Sequence, residues 1–573
     1  MKEKIVFLCL FFYLFSPSSH SQTTSNPFCV NGNNFQLYTN LGFGSFRFHV
    51  NWFLYDNAGT YDFSNSDLAA DFYALTGIEP VIVFKCDPGV PDTSATADTT
   101  GWSFCEKEQW VKLHNPDAAS PETSRYPSDS VAWKNFLEAF VERYDGDGVN
   151  DYPGLVYPFK VYQLEVEIPR VWCTNPPDTF ANSFVNYANY SYSIIKNTDA
   201  GALVKIGGWD SGPANMHLFY LGYINTGSFP VSETVFVTRN MLDTSAVYQA
   251  ELLDFLYVFS NASYDILDIH CYGNAEYFPS RAAGMRALFD TLATKPLWAL
   301  EGGGPFLARA EIFNPLNDNG YISPELAKEN AAYVVRYYTG GLGSGFTRLA
   351  WHIPPEYEAW GQYFGDLNLL SIDYKKKPSY WTYAGLASLI AGYITVDPIP
   401  DGVYWQDANI VGYEVVVPGK KLVIAWNLAY SADITLTNVS KQYLYPVAMG
   451  DSLWDTLYYN VNNTYSFNIS RVPVILEGDS ITLSVEAEVN PDNPELLVYP
   501  NPFSNSARIV FNNNKNRKCR LILYNATGQV VRVLDNLTTS QIIIERKKLN
   551  NGLYFFQLIT ETERIGTGKF IIE

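Results

Sequence analysis

From about Asn26 to Tyr393 the chain alternates short apolar runs with amphipathic stretches of helical period, and this restricts its architecture more than any other feature. Strands separated by helices return to one sheet in parallel, so the pattern predicts an α/β domain. Strand-like runs fall at Gly44–Trp52, Pro80–Cys86, Val161–Glu167, Leu203–Gly208, Ile266–Tyr272, Leu297–Glu301 and Arg348–His352, with a weaker one near Phe28–Val30 before a short helix at Phe35–Leu41. Helices are expected at Ser66–Leu75, Ser128–Tyr144, Asn182–Lys196, Ser245–Phe259, Ala282–Leu292 and Ser379–Tyr393, and another is capped by Ser323 with Pro324 in its first position. Eight such units would close a (β/α)8 TIM barrel, whose chemistry sits where the strands end.

The 573 residues exceed one ordinary domain. Residues 1–21 fit an export signal peptide, since Lys2 and Lys4 precede an apolar run from Ile5 to Phe15 that is too short to span a membrane. The barrel is expected over 22–393. From about Ile394 the texture changes to short alternating strands and turn residues, which predicts a β-sandwich over 394–489. A polar linker, 490–495, leads to a small all-β module over 496–573. No segment of the mature chain has the apolar length of a membrane span. A net charge of −20 argues against nucleic acid and anionic membrane surfaces as partners, because both reward clustered Lys and Arg. The cysteines are too widely spaced for a zinc site or a dense disulfide framework.

Side chains alternate across a strand. Val161–Glu167 therefore has an apolar back of Tyr162, Leu164 and Val166 and an acidic front of Glu165 and Glu167. In Gly44–Trp52 the polar front is Arg47, His49 and Asn51, and in Ile266–Tyr272 it is Asp268, His270 and Tyr272. Leu297–Glu301 ends in an acid and runs into Gly302, Gly303 and Gly304. Glu167 and Glu301 are thus expected at one barrel mouth, with Glu165 one pleat deeper as a partner for Arg47. Two acids there suit glycoside hydrolysis, in which one carboxyl protonates the leaving oxygen and the other attacks or activates water. The run Asp145–Asp151 looks like a calcium loop but lacks the spacing and distal Glu of an EF-hand, and is read as a turn.

These residues carry a resemblance to the large superfamily of retaining β-glycosidases built on a (β/α)8 barrel. The resemblance implies Glu167 as acid/base and Glu301 as nucleophile, with Arg47 orienting the nucleophile, His270 and Tyr272 lining the sugar site and Trp351 as an aromatic platform. It implies a carbohydrate substrate and no cofactor or metal. Where the superfamily has Asn before the acid/base, which bonds the sugar 2-hydroxyl, this chain has Val166. His49 or Asn51 is a substitute donor; otherwise the barrel is catalytically impaired and binds glycans at the cell surface. A protein-binding adhesin is a third reading. The last module, with Tyr499-Pro-Asn-Pro-Phe, Tyr524-Asn-Ala-Thr-Gly-Gln and Asn551-Gly-Leu-Tyr, resembles the C-terminal sorting domain of the type IX secretion system of Bacteroidetes-type bacteria. That implies the type IX machinery as a partner and a secreted or surface-attached protein.

Overall fold

The computed structural model describes residues 26–31, 39–57, 59–88, 124–127, 129–168, 180–230, 236–273, 275–304, 324–352, 369–370, 375–400, 403–405, 407–448, 452–483, 497–499, 503–511, 513, 517–525, 529–539, 541–560 and 564–572. The signal peptide, the linker at 490–495, Ser323 and most of the helix expected at Phe35–Leu41 lie outside them. The described chain divides into two compact units, Met1–Ser484 and Val485–Glu573.

The first unit is built on an eight-stranded parallel sheet: β1 (Phe28–Asn31), β2 (Ser45–Asn51), β3 (Glu79–Lys85), β4 (Val161–Glu167), β5 (Leu203–Gly208), β6 (Leu267–Asp268), β7 (Leu297–Ala299) and β8 (Phe346–His352). Its order is β6-β7-β8-β1-β2-β3-β4-β5. A parallel bridge from Lys205 to Ile266 and the Asp265 N–H to Val204 carbonyl bond, 2.7 Å, bring β5 beside β6 and close the barrel. The weakly marked first strand is present and pairs with both β2 and β8.

Helices α1 (Ser64–Thr76), α2 (Ser130–Tyr144), α3 (Phe180–Thr198), α4 (Ala246–Asn261), α5 (Phe278–Phe289), α6 (Pro324–Gly343) and α7 (Pro378–Ile390) surround the sheet. Their ends follow local chemistry. Asp129 accepts from the Val131 and Ala132 N–H groups to cap α2, Ser245 accepts from Tyr248 to cap α4, and Gly77 ends α1 at φ 70°. A further helix, Ser211–Tyr220, capped by Asp210, is not among those expected. The carboxylate of Asp151 accepts from the N–H groups of Gly146 and Gly148, so it caps its own turn.

Antiparallel strands follow from Thr395. The strands β9 (Thr395–Pro398), β10 (Ile410–Val417), β11 (Lys420–Asn427), β12 (Ala432–Thr437), β13 (Lys441–Leu444), β14 (Asp455–Tyr458), β15 (Thr464–Ile469), β16 (Val474–Glu477) and β17 (Thr482–Leu483) form sheets β9-β10-β11-β16-β13-β14 and β15-β12-β17. Alternation along β11 serves two cores: Val423 and Ala425 face the smaller sheet, while Leu422, Ile424 and Trp426 join the core shared with the barrel helices. The second unit consists of two antiparallel sheets of three and four strands around Ile509, Leu521, Leu523, Ile544, Phe556 and Phe570.

Candidate active site

The barrel lumen is filled at one level by Cys29, Val81, Val161, Ile266, Trp298, Leu300 and Ala350. Polar side chains occupy the carboxyl ends of the strands, where a parallel barrel presents its reactive groups. Past β6 and β7 the chain continues as a short parallel ladder, Cys271–Tyr272 against Gly302–Gly303, which carries Glu301 and Tyr272 above the main sheet.

Glu301 is gripped from three sides. Arg47 Nη1 donates to its Oε2 at 2.7 Å, Asn31 Nδ2 donates to the same oxygen at 3.2 Å, and the Tyr272 hydroxyl donates to Oε1 at 2.9 Å. The Tyr272 hydroxyl also contacts His352 Nδ1, which lies 3.8 Å from Glu301 Oε1. Burial favours the neutral acid, but His270, His352 and Arg47, the last through both its charge and its hydrogen bond, outweigh it and hold the Glu301 carboxyl well below the usual carboxylate range. Burial, then the charges of Glu301 and Glu167, push Tyr272 far above an ordinary phenol, so it remains a donor.

Glu167 meets His270, whose Nδ1 lies 2.9 Å from Oε1. Burial lowers the basicity of His270, yet nearby Glu301 and the bond to Glu167 raise it above the ordinary value. Gly208 makes room for this pair, since a Cβ there would overlap the His270 ring. A carboxylate oxygen of Glu167, a ring nitrogen of His270 and a carboxylate oxygen of Glu301 all lie within 4.8 Å of one another. His49 lies in the same field: burial first, then Arg47 and Lys85, push it down to about 3.

The structure corrects three expectations. Glu165 and Glu167 do not share a strand face. The β4–β5 ladder shifts register between Leu164 and Glu167, and Glu165 adopts φ 64°, the left-handed region that a side chain disfavours. This bulge turns the Glu165 carboxylate to the Cys86 N–H, 3.0 Å, and Cys86 Sγ, 3.4 Å, within the core between sheet and helices. Arg47 consequently pairs with Glu301 rather than Glu165. Trp351 is fully buried, its ring edge-on to Tyr333 and Tyr337 of α6, and the neighbouring His352 faces the acids in its place.

Asn31 and His352 were not anticipated. Asn31 ends a strand too short to show alternation, whereas His352 was legible from the parity of Arg348, Ala350 and His352 along β8.

Comparison with known proteins separates the chain into two parts. Residues 497–573 match the profile of the secretion system C-terminal sorting domain. The chain therefore carries a type IX export module, and its destination is outside the cell or on the cell surface. No helix among the described residues is long and apolar enough to cross a membrane. No curated protein matches in sequence.

Among solved structures, a family 39 glycoside hydrolase from the gut symbiont Bacteroides cellulosilyticus aligns at 15% identity and a TM-score of 0.47, covering 80% of this chain and 81% of that one. A glucosidase from Croceicoccus marinus aligns at 11% identity and a TM-score of 0.42, over 90% and 92% of the two chains. A GH30 endoxylanase from Clostridium papyrosolvens aligns at 12% identity and a TM-score of 0.44, over 79% and 96%.

Proposed function

We propose that this protein is an exported retaining β-glycoside hydrolase acting on extracellular oligo- or polysaccharide. The observation that carries the proposal is the approach of Glu167 and Glu301, one carboxylate oxygen of each lying within 4.8 Å of the other. Retaining enzymes need their two carboxyls about 5–5.5 Å apart, whereas inverting enzymes leave about 6.5–9.5 Å for a water molecule. The electrostatics favour the same division of labour. Glu301, kept ionised by Arg47 and His270, is the nucleophile that attacks the anomeric carbon. Glu167 protonates the departing oxygen, and His270 at its Oε1 orients the carboxyl. In the second half-reaction Glu167 takes a proton from water, which displaces Glu301 and releases the sugar with its configuration retained.

Val166 favours a second reading, a barrel that binds glycans without cleaving them, because Val cannot bond a sugar hydroxyl. A screen of aryl β-glycosides and polysaccharides separates the two. Turnover by the wild type, lost in Glu301→Gln and giving the retained anomer by NMR, supports the enzyme. Sugar binding without turnover across the panel supports the second reading, and neither binding nor turnover defeats both.

A further inference from the structure

Beneath the two acids lies a chain of buried polar groups for which the reaction gives no direct use. Gln163 on β4, Lys205 on β5 and Asp268 on β6 are all fully buried in the lumen. Lys205 Nζ donates to Gln163 Oε1 at 2.9 Å and pairs with Asp268 Oδ2 at 3.2 Å. The far atoms of both partners are bound to backbone. Gln163 Nε2 donates to the Glu165 carbonyl at 2.6 Å, inside the bulge that precedes Glu167. Asp268 Oδ1 accepts the Leu300 N–H at 2.9 Å, one residue before Glu301. The Leu300 carbonyl is also held, by Arg47 Nη1 at 3.3 Å.

An ion-paired lysine is costly to bury, and its desolvation is repaid only when the pair is well placed and further hydrogen bonds satisfy its remaining protons, as Gln163 and Asp268 do here. We propose that Lys205 is a positioning residue, the central link of a buried chain that ties the backbone before Glu167 to the backbone before Glu301 and so sets the approach of the two carboxylates. The bulge gives such a tie a place to act, because the β4–β5 ladder skips Glu165 and Val166 before it resumes at Glu167 opposite Gly208. Gln163 holds the carbonyl of the skipped Glu165 from below. The proposal rests on the glycosidase reading for its catalytic consequence but not for its geometry.

Lys205 also gives the chain a pH signature. Burial lowers its pKa to about 8, against the opposing influence of Asp268 and Glu301 and with that of Arg47. Of the groups facing it, Gln163 on β4 is neutral, Arg47 on β2 is cationic, and Asp268 on β6 and Glu301 beyond β7 are acidic. Deprotonation above that pH removes the ion pair and loosens the link.

The test compares wild type, Lys205→Met and Lys205→Met/Asp268→Asn. The double variant strands no buried charge and keeps an acceptor for Leu300, yet still cuts the tie. Wild-type kcat is expected to fall above about pH 8, from the lysine's lowered pKa. Both variants are expected to lose kcat roughly 100-fold, the scale of a misplacement near 1 Å, with KM little changed and the lysine's fall near pH 8 removed from the alkaline side of the profile. A folded variant with near wild-type kcat and an unchanged alkaline limb overturns the proposal. If neither variant folds, crystal structures of the wild type at pH 7 and pH 10 decide, since a lengthened approach of Glu167 to Glu301 at the higher pH supports the proposal and an unchanged one overturns it. Should the wild type turn over no glycoside, the glycosidase reading fails by itself. The chain is then judged from crystal structures of wild type and the double variant, where an unchanged approach of Glu167 to Glu301 overturns it.

Discussion

Glu301, beyond β7, receives hydrogen bonds from Asn31, Arg47 and Tyr272, whereas Glu167, at the end of β4, faces the imidazole of His270. One carboxylate is surrounded by donors that stabilise its charge. The other stands beside a group able to exchange a proton. Two glutamates only a few ångströms apart thus acquire different chemistry from their neighbours, and the difference is supplied by strands far apart in sequence.

The sharpest way to break this comparison is to neutralise each acid in turn. Glu301→Gln should lower kcat by roughly a millionfold, the scale seen when a covalent nucleophile is removed, as read in steady-state assays. Glu167→Gln should cost about 10²–10⁴-fold and cost least with aryl glycosides whose leaving group needs no proton. Equal losses for the two variants on such substrates would falsify the assignment of roles.

Arg47→Met tests the electrostatic half of the contrast. Arg47 holds the Glu301 carboxyl below its ordinary value. Losing it should raise that pKa and move the acid limb of the pH–rate profile upward, and because Arg47 also helps to lower Lys205, the alkaline limb should move upward as well. The same depression links to stability. The ionised Glu301 contributes fully above its unfolded pKa of about 4.3, and the contribution is lost as pH falls through the lower folded value. Urea titrations of wild type and Arg47→Met should therefore diverge at neutral pH and converge in acid.

The smallest expected effect concerns the bulge. Glu165→Ala forfeits the bond to the Cys86 N–H and keeps the strained φ, and should destabilise the protein by about 1–3 kcal/mol. Glu165→Gly removes the strain as well and should lose less. A loss as large for Gly as for Ala would mean that the anchor matters and the backbone strain does not.

Much of the fold was legible in the chain. The strand–helix alternation, the glycine-rich exit after Glu301 and the change of texture near Ile394 are all local patterns, and each corresponds to an observed element. Helix ends were legible where Asp129, Ser245 or Gly77 supplied the capping group. The site was legible in part, because a polar face on a short strand marks the lumen without naming the partner across it. Arg47 had two acids to choose between, and Trp351 and His352 differ by one residue and therefore by the side of the sheet they face.

The sequence by itself determined which strands carry acids and which end in glycine, since period and composition are properties of one segment. Only the tertiary structure decided that Glu165 leaves the lumen and Glu167 stays in it. Neither Gly nor Pro marks the bulge at Glu165, so nothing local announces it. It lies between Leu164, which is in register with both β3 and β5, and Glu167, which pairs again with Gly208 of β5, so it is defined by the neighbouring strands and not by β4 alone.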